Sequence, residues 1–188
     1  NGVLHSKNVV PSSPNNDYEK FINVGSYSGT SNDVTGTLVI ELPQYQNDMV
    51  KIRISGWSYS GSWCVNVSGY AYGNNNKWAY TDDKATVFGD PPFNPDDVRL
   101  TVDSNNSKFY VFLGTETDSW GKYLHIGLDV ESFYSLDENL RSGWDIYITG
   151  TEPSVTSTSN PSVSYYGTSG ATVQGNLDVN GTITSNKT

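Results

Sequence analysis

The chain has few of the residues from which catalytic and metal sites are usually built. It contains one cysteine, Cys64, and two histidines, His5 and His125, which lie far apart and lack partners at a ligand-type spacing. The single cysteine excludes an internal disulfide, and its place in the apolar run WCVNV favours a small buried hydrophobe over a nucleophile. No GxSxG elbow, HExxH helix or phosphate loop is present. We therefore expect no enzymatic activity and no cofactor.

Positive charge and long apolar runs are also scarce. The 11 Lys and Arg residues are scattered along a chain with 20 Asp and Glu, and the resulting net charge of −9 repels phosphate backbones. No stretch approaches the about 18 consecutive apolar residues that a membrane span requires. Neither nucleic acid binding nor membrane insertion is therefore expected.

Aromatic residues, glycine and small polar residues are abundant instead. Thirteen Tyr, five Trp and six Phe stand beside 18 Gly and a single Met, a composition that favours strands and turns over helices. Strand-like runs alternate with turn-rich pieces between residues 18 and 150: EKFINV, GTLVIELP, MVKIRISGW, SWCVNVSGYAY, DVRLTV, KFYVFLG, KYLHIGLDV and WDIYITG. These runs predict an all-β chain whose main domain is a jelly-roll-like antiparallel β-sandwich.

Composition divides the chain into four segments. Residues 1–17 are polar and interrupted by proline, as in an N-terminal connector, and residues 18–150 form the predicted sandwich. Residues 151–172 are rich in Ser, Thr and Pro and are predicted to be a linker. Residues 173–188 include two six-residue units, VQGNLD and VNGTIT, which predict short β segments separated by tight turns.

This hexapeptide segment has too few apolar side chains to fold alone. Its aliphatic residues are Val173, Leu177, Val179 and Ile183, and their burial does not offset backbone ordering of about 1–2 kcal/mol per residue. The segment must share a core with the preceding domain, with further hexapeptide rungs or with copies of itself in neighbouring chains. Two rungs fall short of a stable solenoid, which favours three chains sharing one core.

Alternation along the runs assigns side chains to the two faces of each strand. The predicted inner rows are Leu38, Ile40 and Leu42; Val50, Ile52 and Ile54; Trp63, Val65 and Val67; Val98, Leu100 and Val102; Leu124, Ile126, Leu128 and Val130; and Trp144, Ile146 and Ile148. Tyr70 and Tyr72 are then expected to face outward. In KFYVFLG both rows are apolar, so a loop or another subunit should cover Tyr110 and Phe112.

Several stretches resemble a domain found near the C-termini of phage tail fibres and related trimeric adhesins, where it often precedes a self-cleaving intramolecular chaperone of the endosialidase type. They are GTLVIELPQ, VKIRISGWSYSG, VNVSGYAYGNNNKWAY, DVRLTVDSNNSKFYVFLGTETDSWGKYLHIGLDV and SGWDIYITG. The most specific pieces are the GYAY run at residues 69–72 followed by Trp78, and Trp120 followed by KYLHIGLDV. The tail SGATVQGNLDVNGTITSN is similar to the β segments that lead into such chaperones.

The resemblance covers roughly residues 18–150 and implies a parallel homotrimer in a virion tail fibre or an extracellular cell-surface fibre. It implies that the hexapeptide segments of three chains share a narrow core about the threefold axis, as intertwined β segments. The expected trimer contacts are Tyr110, Phe112, Val173, Leu177, Val179 and Ile183. The implied partner outside the trimer is a host cell-surface glycan or envelope component.

Exposed aromatic rings among short polar side chains are what a carbohydrate site needs, because the apolar face of a sugar stacks on an aromatic ring. The candidate residues are Trp57, Tyr59, Tyr70, Tyr72, Trp78, Tyr80 and Trp120. The alternative is that these rings pack inside the sandwich or between subunits, since large aromatic residues are highly buried on average. We expect at least two of them to be accessible.

Carboxylates are grouped in three loops, at Asp82 and Asp83, at Asp96 and Asp97, and at Glu116 and Asp118. Asp82 and Asp83, and Asp96 and Asp97, are weak candidates for a structural cation, because oxygen-rich loops can hold calcium although no DxDxDG spacing is present. The main hypothesis is a non-enzymatic receptor-binding domain that recognises a glycan. The alternatives are a purely structural spacer or trimerisation domain and, more distantly, a glycan depolymerase that uses acidic loops.

Overall fold

The computed structural model describes residues 19–43, 47–72, 77–105, 107–133, 140, 142–167 and 170–172. The strands are β1 (Glu19–Ser28), β2 (Thr37–Glu41), β3 (Asn47–Ser58), β4 (Gly61–Tyr72), β5 (Lys77–Gly89), β6 (Val98–Asp103), β7 (Lys108–Leu113), β8 (His125–Ser132), β9 (Asp145–Thr149), β10 (Ser157–Ser159), β11 (Ser162–Gly167) and β12 (Gly170–Thr172). A 3-10 turn, Pro95–Asp97, precedes β6. The described residues are therefore all-β, as predicted, and none of them forms a helix that could cross a membrane.

The strands form two sheets. One has seven strands in the order β1-β8-β3-β4-β5-β11-β12, and the other has five in the order β10-β6-β7-β2-β9. All pairs of neighbouring strands are antiparallel except the β5–β11 pair, which is parallel. The predicted inner rows are confirmed, because their side chains belong to one apolar cluster or, for Trp144 and Ile148, pack against it. Alternation thus placed the core correctly.

One long strand, β5, was not predicted from the sequence. Its middle, TDDK, has the composition of a turn, and only Ala85 and Val87 mark an inward row near its end. β4 pairs with both ends of the strand, at residues 77–79 and 84–89, and β11 pairs with residues 84–88 on the other side. The register with β4 shifts between Ser68 and Tyr70, so the polar middle of β5 lies at an irregularity of the ladder. Pairing at the two ends satisfies the backbone groups on either side of this polar stretch.

The prediction that residues 151–172 form a linker is wrong for their second half, because it forms three strands of the two sheets. β10 pairs with β6 in the five-stranded sheet, and β11 extends the seven-stranded sheet beyond β5. Val163 of β11 is buried in the core. A Ser/Thr-rich sequence with β-branched residues suits an edge strand, whose outer backbone groups face water. The hexapeptide residues Val173, Leu177, Val179 and Ile183 and the connector at residues 1–17 lie outside the described residues.

The second apolar row of β7 is covered by the chain itself. Tyr110 and Phe112 are 3% and 0% exposed in a single copy and form a small cluster with Val39, against which Tyr147 and Val155 pack. The prediction that Tyr110 and Phe112 form a trimer contact is therefore wrong, since buried rings offer no surface to a neighbouring chain. The sequence predicted that either a loop or another subunit covers this row. The observed cover is a loop of the same chain, the one after β9 that carries Glu152 and Val155, and we refer to it as the covering loop.

An ion pair fixes this covering loop to the five-stranded sheet. Arg99 of β6 donates two hydrogen bonds to the Glu152 carboxylate, at 2.6 and 2.9 Å, and a third to the Gly114 carbonyl at 2.6 Å. The Thr37 hydroxyl donates to the same carboxylate at 2.6 Å. The guanidinium hydrogen bonds, and to a lesser extent that of Thr37, lower the pKa of Glu152. The Arg99 guanidinium also lies 5.3 Å from the centre of the Phe112 ring.

Candidate functional site

Four aromatic rings lie exposed and in mutual contact at one end of the outer face of the seven-stranded sheet. We refer to Trp57, Tyr59, Tyr123 and His125 as the aromatic platform. Trp57, Tyr59 and Tyr123 are 48%, 73% and 39% exposed, and His125 is exposed as well. The Trp57 ring centre lies 6.2 Å from that of Tyr59 and 6.1 Å from that of His125, and Tyr59 and Tyr123 are 4.9 Å apart. The expectation that at least two candidate rings are accessible is confirmed by Trp57 and Tyr59.

The strands fix two rings of the platform by their register. Trp57 of β3 lies directly opposite His125 of β8 and opposite Ser62 of β4. His125 lies opposite Ser28 of the edge strand β1, and the Ser28 hydroxyl and His125 Nδ1 are hydrogen-bonded at 3.2 Å. A ring on a paired strand is held more rigidly than one on a free loop, which lowers the entropy that binding costs.

Loops that touch each other hold the two tyrosines. Tyr59 lies in the tight turn between β3 and β4, and its backbone N–H donates to the Lys122 carbonyl at 3.3 Å. The Tyr123 N–H donates to the Thr30 carbonyl at 2.8 Å, with Tyr123 in the left-handed region at a φ of 53°. A non-glycine residue there is uncommon, and its retention in a ring cluster fits a binding role.

A second aromatic group lies in the core between the two sheets, on the inner side of the β3–β4 hairpin. Trp63 packs on Phe93 and Trp120, with all three ring centres 5.4–5.7 Å apart. Gly56 makes room for it, because a side chain there would overlap the Trp63 ring. Trp120 is 0% exposed, and its indole N–H donates to the Gly36 carbonyl at 2.6 Å. Trp120 is therefore a core residue, and its prediction as a sugar-binding residue is wrong.

The remaining candidate rings do not join the platform. Trp78 is 7% exposed, donates to the Thr101 carbonyl at 3.1 Å and packs edge-on against Phe109, so it too is corrected to a core residue. Tyr70 and Tyr72 face outward, as predicted, but are half-buried and stacked on each other at 5.4 Å. The side chain of Tyr80 lies outside the described residues.

A floor of small residues continues from the platform along the outer face. On the same face, Ser55 lies two residues before Trp57 on β3, and Gly127 lies two residues after His125 on β8; the two are paired across the strands. A Cβ added at Gly127 would meet no atom within 4 Å. Cys64 lies opposite Ser55, half-buried on this outer side rather than fully buried as predicted. Ser55 and Gly127 are the outward positions between Trp57 and Arg53 on β3 and between His125 and Asp129 on β8, and we refer to this strip of small residues as the passage.

The passage leads to a polar depression of about 210 Å³. Its lining residues are Lys20, Lys51, Arg53, Asn66, Asp129 and Glu131. Glu131 is paired with Lys20 at 3.5 Å and with Lys51 at 3.8 Å, and Asp129 accepts a hydrogen bond from the Asn23 backbone N–H at 2.9 Å. Among the described residues Arg53 makes no ion pair, although it lies directly between Asn66 and Asp129 in the sheet register. We refer to these six residues as the polar depression.

The acidic residues that the structure describes near the 3-10 turn include Asp97 and Asp118. Burial raises the pKa of Asp97, and the nearby carboxylate of Asp118 raises it further. Asp118 accepts hydrogen bonds from the Thr115 backbone N–H and hydroxyl, which ties it to its own turn. Within the part of the chain that the structure describes, no three His, Cys, Asp or Glu side chains lie close enough to hold a metal ion. Asp96 is exposed, and the side chains of Asp82 and Asp83 lie outside the described residues.

Comparisons of the chain with protein-family models, with curated proteins and with solved structures gave no match. Assignment of a function therefore depends on the geometry of the outer face.

Sequence reasoning missed two rings of the platform, Tyr123 and His125. The prediction that Leu124 and Ile126 face inward already placed both on the outward side of the same strand. What the pattern did not contain was the pairing of β8 with β3, which brings His125 next to Trp57.

Proposed function

We propose that the protein is a non-enzymatic glycan-binding domain that attaches a fibre to a cell surface. The observation that carries the proposal is the aromatic platform, whose rings are exposed although they are fixed by register and backbone hydrogen bonds. Rings of this kind are enriched where a ligand has an apolar face and hydroxyl groups, because they offer stacking area and polar edges together.

The surroundings of the platform support a sugar over a purely apolar ligand. Ser62 lies opposite Trp57, Ser28 lies opposite His125, and Ser55 is two residues along β3 from Trp57. Hydroxyl groups of this type hydrogen-bond to sugar hydroxyls. The passage toward Arg53 extends about 13 Å along β3, at about 3.3 Å per residue. This length accommodates a short oligosaccharide rather than a single ring.

Membership in a trimeric tail fibre or similar extracellular fibre is part of the proposal. Its support is the hexapeptide segment of residues 173–188, and no longer the β7 strand, whose outer row is buried within one chain. Three copies of a weak site gain effective affinity by roughly 10²- to 10⁴-fold through avidity. Light scattering on a sizing column tests this part, comparing the full chain with a version that ends at Thr172 and so keeps β10–β12. A monomeric full chain contradicts the fibre assignment.

Binding to immobilised bacterial surface polysaccharides tests the glycan-binding function. We expect Trp57→Ala and Tyr59→Ala each to weaken binding at least about tenfold, since stacking and desolvation at a hot-spot ring contribute 2 kcal/mol or more. Tyr166→Ala is the control, because Tyr166 is an exposed ring, 43%, that lies three strands from β3 in the same sheet and stacks on Phe88 rather than on the platform. If wild-type protein binds none of the polysaccharides, the spacer function is the better account. If it binds and all three variants bind as tightly as the wild type, the platform is not the binding site.

A further inference from the structure

We infer that the glycan recognised by this protein is acidic and that Arg53 binds its carboxylate in the polar depression. The inference rests on the proposed function and specifies the chemical class of its ligand. It comes from a part of the outer face that the aromatic platform does not use.

The first argument is the unpaired charge of Arg53. Lys20 and Lys51 share the carboxylate of Glu131, whereas Arg53 makes no ion pair among the described residues and is exposed. Asp129 lies opposite Arg53 but accepts a hydrogen bond from the Asn23 backbone instead. A guanidinium offers a planar set of donors that matches a carboxylate in a bidentate arrangement.

The second argument is the continuity between the depression and the platform. The two are joined by the open floor at Ser55 and Gly127, so one chain of sugars can lie on the rings and extend to Arg53. The depression, at about 210 Å³, is smaller than the about 300–1,000 Å³ of pockets that enclose drug-sized ligands. Its size suits one sugar residue of a longer chain.

The balance of charge around the depression selects the kind of anion. Three cations and two carboxylates line it, which leaves one positive charge. A carboxylate matches this charge, whereas a phosphate monoester carries about −1.5 to −2 at neutral pH and exceeds it. A phosphodiester also carries one negative charge, so polyglycerol phosphate is the anion against which the carboxylate is tested. A sugar with a single carboxylate, such as a uronic acid, is the occupant that we infer.

The attraction must act at short range, because the whole chain carries a net charge of −9. A change in salt concentration would alter the overall repulsion and the local attraction together. The decisive comparison is therefore between two glycans that differ only in the carboxylate.

The experiment measures binding of the full chain by calorimetry to alginate, hyaluronan and polygalacturonate oligosaccharides, each beside its carboxyl-reduced, neutral counterpart. Neutral dextran and mannan oligosaccharides and polyglycerol phosphate complete the set. Arg53→Gln is compared with Lys84→Gln, which removes another exposed positive charge, from β5 of the same sheet. Thermal unfolding of each variant checks its fold.

We expect at least one uronate to bind at least about tenfold more tightly than its reduced counterpart, as charged hydrogen bonds imply. Arg53→Gln should abolish this preference, Lys84→Gln should keep it, and Trp57→Ala should weaken binding of both forms. Equal binding of acidic and reduced forms, a preference that survives Arg53→Gln, or tighter binding of polyglycerol phosphate would overturn the inference while glycan binding itself stands. Absence of binding to every saccharide would contradict the proposed function as well.

Discussion

The two sheets present aromatic residues on their outer faces, and within the described part of the chain these rings are covered on one sheet and exposed on the other. On the five-stranded sheet Tyr110 and Phe112 are sealed under the loop that carries Val155. On the seven-stranded sheet Trp57 and Tyr59 remain exposed although they contact other rings. An outward aromatic row can thus be a second core or a binding surface, and the difference lies in whether the chain returns to cover it.

The covering loop is the part of the molecule that makes this difference. It is held by the ion pair of Arg99 with Glu152, whereas the corresponding cation of the open face, Arg53, makes no ion pair among the described residues. Arg99 is committed to the fold and Arg53 is available to a ligand. Four substitutions test the comparison.

Phe112→Ala should have the largest effect on stability. Removing a fully buried ring lowers the free energy of unfolding by about 3–5 kcal/mol, through lost burial and the cavity left behind. Urea denaturation of the full chain measures the loss, with Tyr166→Ala as the exposed control. A loss that depends on protein concentration would return Phe112 to a subunit interface.

Gly56→Ala tests the packing beneath the platform. A methyl group there overlaps the Trp63 ring, and we expect a loss of about 1–3 kcal/mol from overpacking. Gly127→Ala is the matched control, because its methyl group meets open space and should change stability by less than about 1 kcal/mol. The two variants are compared by thermal unfolding, and equal losses would contradict the inward placement of Trp63.

Glu152→Gln tests the ion pair that closes the covered face. At neutral pH we expect a loss of about 1.5–3 kcal/mol, the usual contribution of hydrogen bonds to a charged group. The pKa of Glu152 is lowered in the folded state from its ordinary value of 4.5, so its contribution is present above that value and disappears as pH falls through the lowered pKa.

Wild-type protein should therefore lose stability on acidification below about pH 5, and Glu152→Gln should show a smaller loss over the same range. Denaturation curves measured between pH 7 and pH 3 give both slopes. Glu131→Gln serves as the control, because its lysine partners are exposed and such pairs contribute about 0–1 kcal/mol. Parallel curves for wild type and Glu152→Gln would show that the carboxylate does not hold the loop.

Trp57→Ala should have the smallest effect on stability. An exposed ring outside the core contributes about 0.5 kcal/mol or less, so the unfolding midpoint should stay close to that of the wild type. The same variant is expected to lose glycan binding, which separates the open face from the covered one. A loss of several kcal/mol would indicate that the platform is structural.

Much of the fold was predictable because alternation of apolar and polar residues is a local property. The inner rows at Leu38 and Ile52, and the outward position of Trp57, follow from a period of two along each strand. β5 was missed because its TDDK stretch has the composition of a turn, and the strands near the C-terminus were missed because Ser and Thr are common in linkers. In both cases strand pairing decided the conformation, of β5 with β4 and β11, and of β10 with β6.

The sequence by itself determined the all-β class, the faces of the strands and an outer surface rich in aromatic residues. The tertiary structure decided which aromatic residues are accessible, because burial depends on strand order and on where the chain returns. Trp120 fills the core beside Trp63, Phe112 lies under a loop held by Glu152, and Trp57 meets His125 across β3 and β8. Each of these contacts joins residues that are not adjacent in sequence, and no local pattern contains them.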